Sequence, residues 1–558
     1  MLIDKINNYD ISEPVIKEII EKIKAKSLML INASASNQII IFEEINNLRN
    51  HYLTIYWISY IGYLKDITNT KYLESEAIIG KLDGYYNNAI YKLYEILTSL
   101  PKKDELLNIY GERFFQIANN TKRLQSNQPE LFFEEKRLRQ EYRSIINKPK
   151  INFQGELMSL IKLSKYLQDE DESIRKNAFD KRYAVLTELN SNLVPVFNKL
   201  LNVRKKIAIS ANFNNYFDYS FIKMNRIGYT KADLKAFKAA VLKHFVPINE
   251  KLKKAQAIRL GERELSYYNS TILFKDGNAK TSLELNDILD VFSDILESLS
   301  PDFSTLFIKM RTNNLIDLED RENKSGGGIT TLLPDFKCPI FIKRYAADPK
   351  SFITLAHEFG HSFQLFANKD KILHENRWPT FDIAEIHSTT MELLVSTKIE
   401  KIYKNDTKKF LINHYTNLLN LIIKMSLIDD FQTKIYSAEN IDINLEYKKL
   451  YQQYYPSNNY NLDYYKKGVM WQEDINRIDD PFYGIDYALA IIYAFSYFKN
   501  YLQNPKKTIR EFIDLCKLGG EISFKEIGIK YHLANPFDEN SLKELADFLN
   551  KKIEEILK

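Results

Sequence analysis

His357, Glu358 and His361 carry the clearest chemistry in this chain. Two histidines at i and i+4 sit one helical turn apart and point the same way. Their ring nitrogens can then reach one metal ion at about 2.0–2.1 Å. Glu358 adjoins the first histidine, so its carboxylate can stand beside the metal and take a proton from water. This is the HExxH arrangement of zinc hydrolases.

The flanking residues say which element must hold these groups. Asp348 and Ser351 are N-cap types, and Pro349 suits an early helical position. Phe352, Ile353, Leu355, Ala356, Phe359, Phe363, Leu365 and Phe366 make the following helix apolar on nearly every side, as a buried helix is. Burying two histidines and a glutamate there is costly unless a metal partners them. Gly360 breaks helix propensity in the same turn, by about 1 kcal/mol relative to alanine.

Catalytic zinc needs a third protein ligand and keeps one position for water. Glu385 is the candidate. It lies 24 positions after His361 (385 minus 361), near the start of a second apolar helix that Pro379, Thr380 and Asp382 announce. The alternative is a helix-start carboxylate facing the dipole. Glu392, two turns further on the same face, can accept the free ring N–H of a ligand histidine or lie on the helix surface. His387 is assigned a structural or substrate-side role, and His374 is expected in an exposed loop.

His357–Gln364 followed by Ala384–Leu394 resembles the HExGH and ExxS/T signatures of the thimet oligopeptidase/oligoendopeptidase F family of zinc metallopeptidases, on the oligoendopeptidase F side. Residues 321–328 with Pro339–Ile342 resemble the glycine-rich stretch and strand that precede the zinc helix. Residues 481–489, 515–520 and 535–537 resemble its tyrosine segment and C-terminal tail, and the likeness covers roughly residues 150–558. The resemblance implies a mostly α, two-lobed helical molecule with a deep substrate channel and a small β element beside the zinc helix. It implies one Zn2+ per chain on His357, His361 and Glu385, with Glu358 as base. Tyr483 and Tyr487 would hold the substrate carbonyl and stabilise its oxyanion. One departure is Asn476, which stands where the family usually carries a histidine.

The rest of the chain narrows the class. With 558 residues, 45% of them hydrophobic, it can bury a sizeable core. Its 78 basic and 73 acidic residues are well mixed, and a net +5 without a dense basic run argues against nucleic acid. Two cysteines, Cys338 and Cys516, read as free buried thiols in a reducing compartment. Neither a signal-peptide pattern nor a membrane-length apolar run is visible, so a soluble cytoplasmic protein is expected. The pattern sets no oligomeric state.

Long helical periodicity runs through the first 150 residues. Ile16, Ile19, Ile20 and Ile23 form one face, and Leu53, Trp57, Tyr60, Ile61 and Leu64 another. We expect residues 1–190 to form a helical channel wall and 191–558 the catalytic region. Ile151–Leu157 reads as a small hairpin. Gly326, Gly327 and Gly328 would let a substrate backbone approach, beside a strand over Pro339–Tyr345 whose edge an extended peptide could join. The plainer reading of the glycines is a connector. The expected function is a zinc endopeptidase acting on short peptides. The alternatives are a carboxypeptidase or dipeptidyl carboxypeptidase, for which Arg344 or Arg377 would capture the terminal carboxylate, and a catalytically weakened peptide-binding protein.

Overall fold

Ser, Asp, Asn and Thr caps start many of the helices in the computed structural model, which describes residues 2–101, 103–125, 128–326, 328–346 and 348–557. Ser34 accepts from the Asn37 amide, Asp171 from Ser173 and Ile174, and Asp442 from Leu445. Each cap satisfies amides that have no partner within the helix. Helices dominate, and the described residues contain five short strands.

The chain forms two compact units that interleave in sequence. One comprises Met1–Arg123, Lys280–Lys404 and Tyr493–Leu533, and the other Leu124–Ala279, Asn405–Ile492 and Ala534–Lys558. The expectation drew one boundary after residue 190. Periodicity marks which face of a helix is buried, but not which distant helix covers it.

In the first unit, helices Glu13–Met29, Ala35–Lys65, Thr70–Ser99 and Asp104–Arg123 pack around Ile16, Ile20, Ile23, Phe42, Leu93 and Phe114. The isoleucine face of residues 16–23 is buried as expected. Of the second predicted set only Ile61 and Leu64 are buried. The covered face runs instead through Tyr52, Ile55, Ile58, Ser59 and Gly62, because this helix is covered from several directions. Strands β3 (Ile316–Asp317), β4 (Ile329–Leu333) and β5 (Cys338–Ile342) form a sheet in the order β3-β5-β4. β5 pairs parallel with β3 and antiparallel with β4, with Thr330 opposite Phe341. β5 is buried throughout, and it covers the first part of the strand expected over residues 339–345. Cys338 and Cys516 are free and buried.

The second unit contains the expected hairpin, β1 (Lys150–Phe153) with β2 (Glu156–Ser159), turned by Gln154 and Gly155 at positive φ. Helices Glu172–Ser210 and Thr407–Ser437 are its long members. Among the described residues no helix is long and apolar enough to cross a membrane.

Candidate metal centre

Both histidines stand on the helix Pro349–Ala367. Its start is the predicted one: the Asp348 carboxylate accepts from the Ser351 amide at 2.7 Å, and Pro349 occupies the first turn. Phe359 fixes the rotation of the helix by meeting Phe292 and Phe307 edge-on, at centroid distances of 5.9 and 5.7 Å. Glu385 stands on the helix Phe381–Ser396, which is buried from Asp382 to Ser396. The two helices touch at Gly360, where a Cβ would lie 2.7 Å from the His387 carbonyl oxygen and 2.7 Å from Ser388 Cα. The glycine that weakens the helix is what lets the second helix come this close.

Three donor atoms meet as a result. His357 Nε2 and His361 Nε2 are 3.2 Å apart, and Glu385 Oε2 lies 3.3 Å from the first and 3.6 Å from the second. Two atoms each bonded at 2.0–2.1 Å to a tetrahedral ion stand about 3.3–3.4 Å apart, so these three fit one face of such a site. Two imidazoles and a carboxylate are a donor set suited to a divalent transition metal. His357, His361 and Glu385 are the cluster of metal-ligating type found among the described residues.

Burial and neighbouring charges act differently on the three groups. Burial lowers the His361 imidazole to about 4, which keeps it neutral and able to ligate. Burial opposes charge on Glu385, but its bond to His357 and the charge of His361 outweigh it and bring the carboxyl down to about 2. His357 Nδ1 lies 2.6 Å from Glu392 Oε1, so Glu392 orients the imidazole and does not lie on the helix surface. Burial would lower His357, yet Glu385 and Glu392 together hold it well above its usual value. Glu392 itself is raised by burial, against the pull of His357. Ser388 also serves the site, donating to Glu385 Oε2 at 3.0 Å.

Glu358 is half-buried, and its carboxylate Oε2 accepts from the Thr330 hydroxyl on β4 at 2.5 Å. No local sequence pattern marks Thr330, because strand pairing brings it there. The loop joining the two site helices also differs from expectation. His374 opens a short helix, His374–Arg377, where it is half-buried rather than exposed, and burial lowers its imidazole to about 4. Next to it Glu375 forms a buried ion pair with Arg49 at 2.5 Å and accepts from Tyr94. His387 is completely buried. Gly326 and Gly328 are exposed, and Gly327 lies outside the described residues.

In the second unit the hydroxyls of Tyr483 and Tyr487 are bonded at 2.8 Å. The Arg477 guanidinium carbon lies 5.4 and 5.6 Å from their ring centroids. Phe482, just before Tyr483, holds a φ of 69°, a conformation that bulky residues rarely adopt. Gln432 accepts from its amide at 2.8 Å and Arg226 donates to its carbonyl at 2.5 Å. Arg226 in turn is paired with Asp486 at 3.0 Å in a buried contact. Asn476 is exposed.

A helical peptidase-like fold with two histidines and a glutamate gathered at one point defines a class, and the sequence places the chain within it. The chain belongs to peptidase family M3: the family signature matches residues 165–545, and that of the M3 N-terminal domain matches residues 6–124. It is similar to an oligoendopeptidase F homolog of Borreliella burgdorferi, 22% identical over 378 residues, or 64% of this chain. It is also similar to the oligopeptidase PepF of Bacillus subtilis, 20% identical over 407 residues, or 69% of this chain. The aligned parts span 60% and 59% of those relatives' own lengths. Among solved structures, PZ peptidase A with an inhibitor superposes with a TM-score of 0.91 at 26% identity, covering 99% of both chains. A structure assigned as an oligoendopeptidase F from Bacillus anthracis superposes with a TM-score of 0.87 at 26% identity, covering 98% of both chains.

Proposed function

We propose that this chain is a cytoplasmic zinc-dependent oligoendopeptidase that hydrolyses internal bonds of short peptides. The observation that carries the reading is the triangle of His357, His361 and Glu385 donor atoms, with edges of 3.2, 3.3 and 3.6 Å, its two histidines on a helix that also carries Glu358. One zinc ion bound there would supply a Lewis acid that polarises the scissile carbonyl and acidifies water. Glu358 accepts the proton of the attacking water and passes it to the leaving amine nitrogen. Tyr483 and Tyr487 keep the role the family resemblance gives them, donating to the carbonyl oxygen as it gains charge. Glu392 holds the His357 ring in place. Gly326–Gly328 are assigned to the substrate backbone, since a peptide can approach main chain that carries no side chains.

Internal cleavage is favoured over removal of C-terminal residues by the state of the two arginines that could have captured a terminal carboxylate. Arg377 is buried, bonded to the Lys371 carbonyl and the Asn50 side chain. Arg344 is paired with Asp320 at 2.9 Å and donates to the carbonyls of Glu322 and Lys324. A peptide-sequestering protein would have no need of Glu358, which is present together with all three ligands.

The test is cleavage of an internally quenched peptide by the purified chain, by Glu358→Gln and by chelator-treated protein, with product masses recorded. Internal cuts that vanish in Glu358→Gln while bound zinc is retained, and that vanish on chelation, are the expected result. Equal turnover by Glu358→Gln overturns the assignment of the base, and stepwise trimming from the C-terminus overturns the endopeptidase reading.

A further inference from the structure

We propose that Thr330 is a positioning residue for the base Glu358, and that Lys324 and Gly328 set the strand that carries it. The inference rests on the reading of Glu358 as the base. Thr330 is 6% exposed, and its hydroxyl lies 2.5 Å from Glu358 Oε2. The other acceptor within reach, the Glu358 carbonyl, is 3.5 Å away and already accepts from the Ser362 hydroxyl at 2.9 Å. The single hydroxyl proton therefore goes to the carboxylate.

A glutamate side chain turns about three bonds, and a base must be held in reach of the proton it takes. The Thr330 bond engages one carboxylate oxygen and leaves the other to accept that proton. A β-branched residue suits the task, because its χ1 is restricted on a strand and its hydroxyl direction is set by the backbone.

The backbone ahead of Thr330 is held by buried polar and close-packed contacts. The Lys324 side chain is completely buried. Its ammonium lies 3.0, 2.9 and 2.9 Å from the carbonyl oxygens of Asp317, Glu319 and Lys343 and 2.7 Å from the Asp317 carboxylate, and its three N–H groups are shared among them. This ties the loop ahead of β4 to β3 and to the end of β5. At Gly328 a Cβ would fall 2.9 Å from the Ile342 carbonyl oxygen and 2.3 Å from Lys343 Cδ, so a glycine is needed for β4 to enter the sheet at this register. Two positions later Thr330 faces Glu358. Gly328 thus has a second task besides the substrate contact proposed for it: with Lys324 it sets the strand that holds the base.

The experiment uses the full chain loaded with zinc and compares wild type, Thr330→Ser, Thr330→Ala, Thr330→Val and Glu358→Gln. Measured are kcat and KM on a quenched peptide, bound zinc per chain and the melting temperature. Removing the hydroxyl in Thr330→Val or Thr330→Ala is expected to lower kcat by about tenfold to a hundredfold, with KM and bound zinc unchanged. Thr330→Ser and Thr330→Ala both lack the methyl and differ only in the hydroxyl, so their ratio isolates the bond even if both lose stability. Higher kcat in Thr330→Ser than in Thr330→Ala by that factor supports the proposal. Equal kcat in the two, or a loss confined to KM or to zinc content, overturns it. Undiminished turnover by Glu358→Gln would instead overturn the underlying assignment of the base, whatever the threonine variants do.

Discussion

The carbonyl oxygen of His387 lies 2.7 Å from the point where a Cβ on Gly360 would sit, so the helices that carry His357, His361 and Glu385 cross at a glycine. In an unconstrained helix Gly→Ala stabilises by about 1 kcal/mol. Here overpacking should dominate. Gly360→Ala is expected to destabilise by about 1–3 kcal/mol. Because the displaced segment carries Glu385, zinc affinity should fall as well. Thermal melting of the apo protein and competition with a chromophoric chelator check both parts. A variant more stable than wild type, with unchanged zinc affinity, would contradict the packing argument.

The bond of 2.6 Å between His357 Nδ1 and Glu392 Oε1 makes a second prediction. With Nδ1 held by Glu392, Nε2 is the nitrogen left to meet the proposed ion. Glu392→Gln keeps the shape but loses the charge that supports ligand basicity. Zinc affinity is expected to fall about 10- to 100-fold. Chelator competition on the folded variant measures it, and an affinity equal to wild type would mean that Glu392 serves only packing.

These two relationships differ in how visible they are before folding. His357, Glu358, His361, Glu385 and Glu392 belong to two helices whose starts are signalled locally, and helical spacing alone puts His357 with His361, and Glu385 with Glu392, on one face. Gly360 was visible as an anomaly, and its cause lies on another helix. Thr330 was not visible, because its contact depends on which strands pair and in what register. Arg49 and Glu375 are 326 positions apart, and nothing near either residue announces the other. The face assigned to Leu53, Trp57 and Tyr60 failed for a related reason: on a helix covered from several directions, apolar periodicity does not select one stripe.

The buried pair of Arg49 and Glu375 sets the acid limit of the loop between the site helices. Burial alone would raise the Glu375 carboxyl, but Arg49 outweighs it and the group falls to about 2. Its unfolded value is about 4.3. A carboxyl lowered by folding contributes stability above its unfolded value, and that contribution is lost as pH falls from about 4.3 toward 2. Glu375→Gln should lower stability at neutral pH by about 3–5 kcal/mol, since it leaves Arg49 buried without its carboxylate. It should also flatten the fall in melting temperature across that pH interval relative to wild type. Parallel melting curves for the two proteins between pH 5 and pH 2 would show that the pair is not the titrating element.

Tyr483 and Tyr487 are coupled to one another before any substrate is considered. Their hydroxyls are 2.8 Å apart, so one donates to the other, and the guanidinium of Arg477 lies over both rings. A hydroxyl that accepts a bond becomes a better donor to a third group. The outer hydroxyl would meet the carbonyl oxygen, and the inner one would strengthen it. Removing the donor that meets the oxyanion should cost about 10²–10³ in kcat, as for other oxyanion contacts. Removing its supporter should cost less. Tyr483→Phe and Tyr487→Phe should therefore differ in kcat, and the double variant should fall short of the product of the two single losses. The shortfall expected for residues in one hydrogen-bonded network is about 0.5–3 kcal/mol of coupling. Arg477→Met should weaken both hydroxyls as donors and lower kcat while leaving bound zinc unchanged. Single losses that multiply, with Arg477→Met at the wild-type rate, would show that the two tyrosines act independently and that the arginine serves only packing.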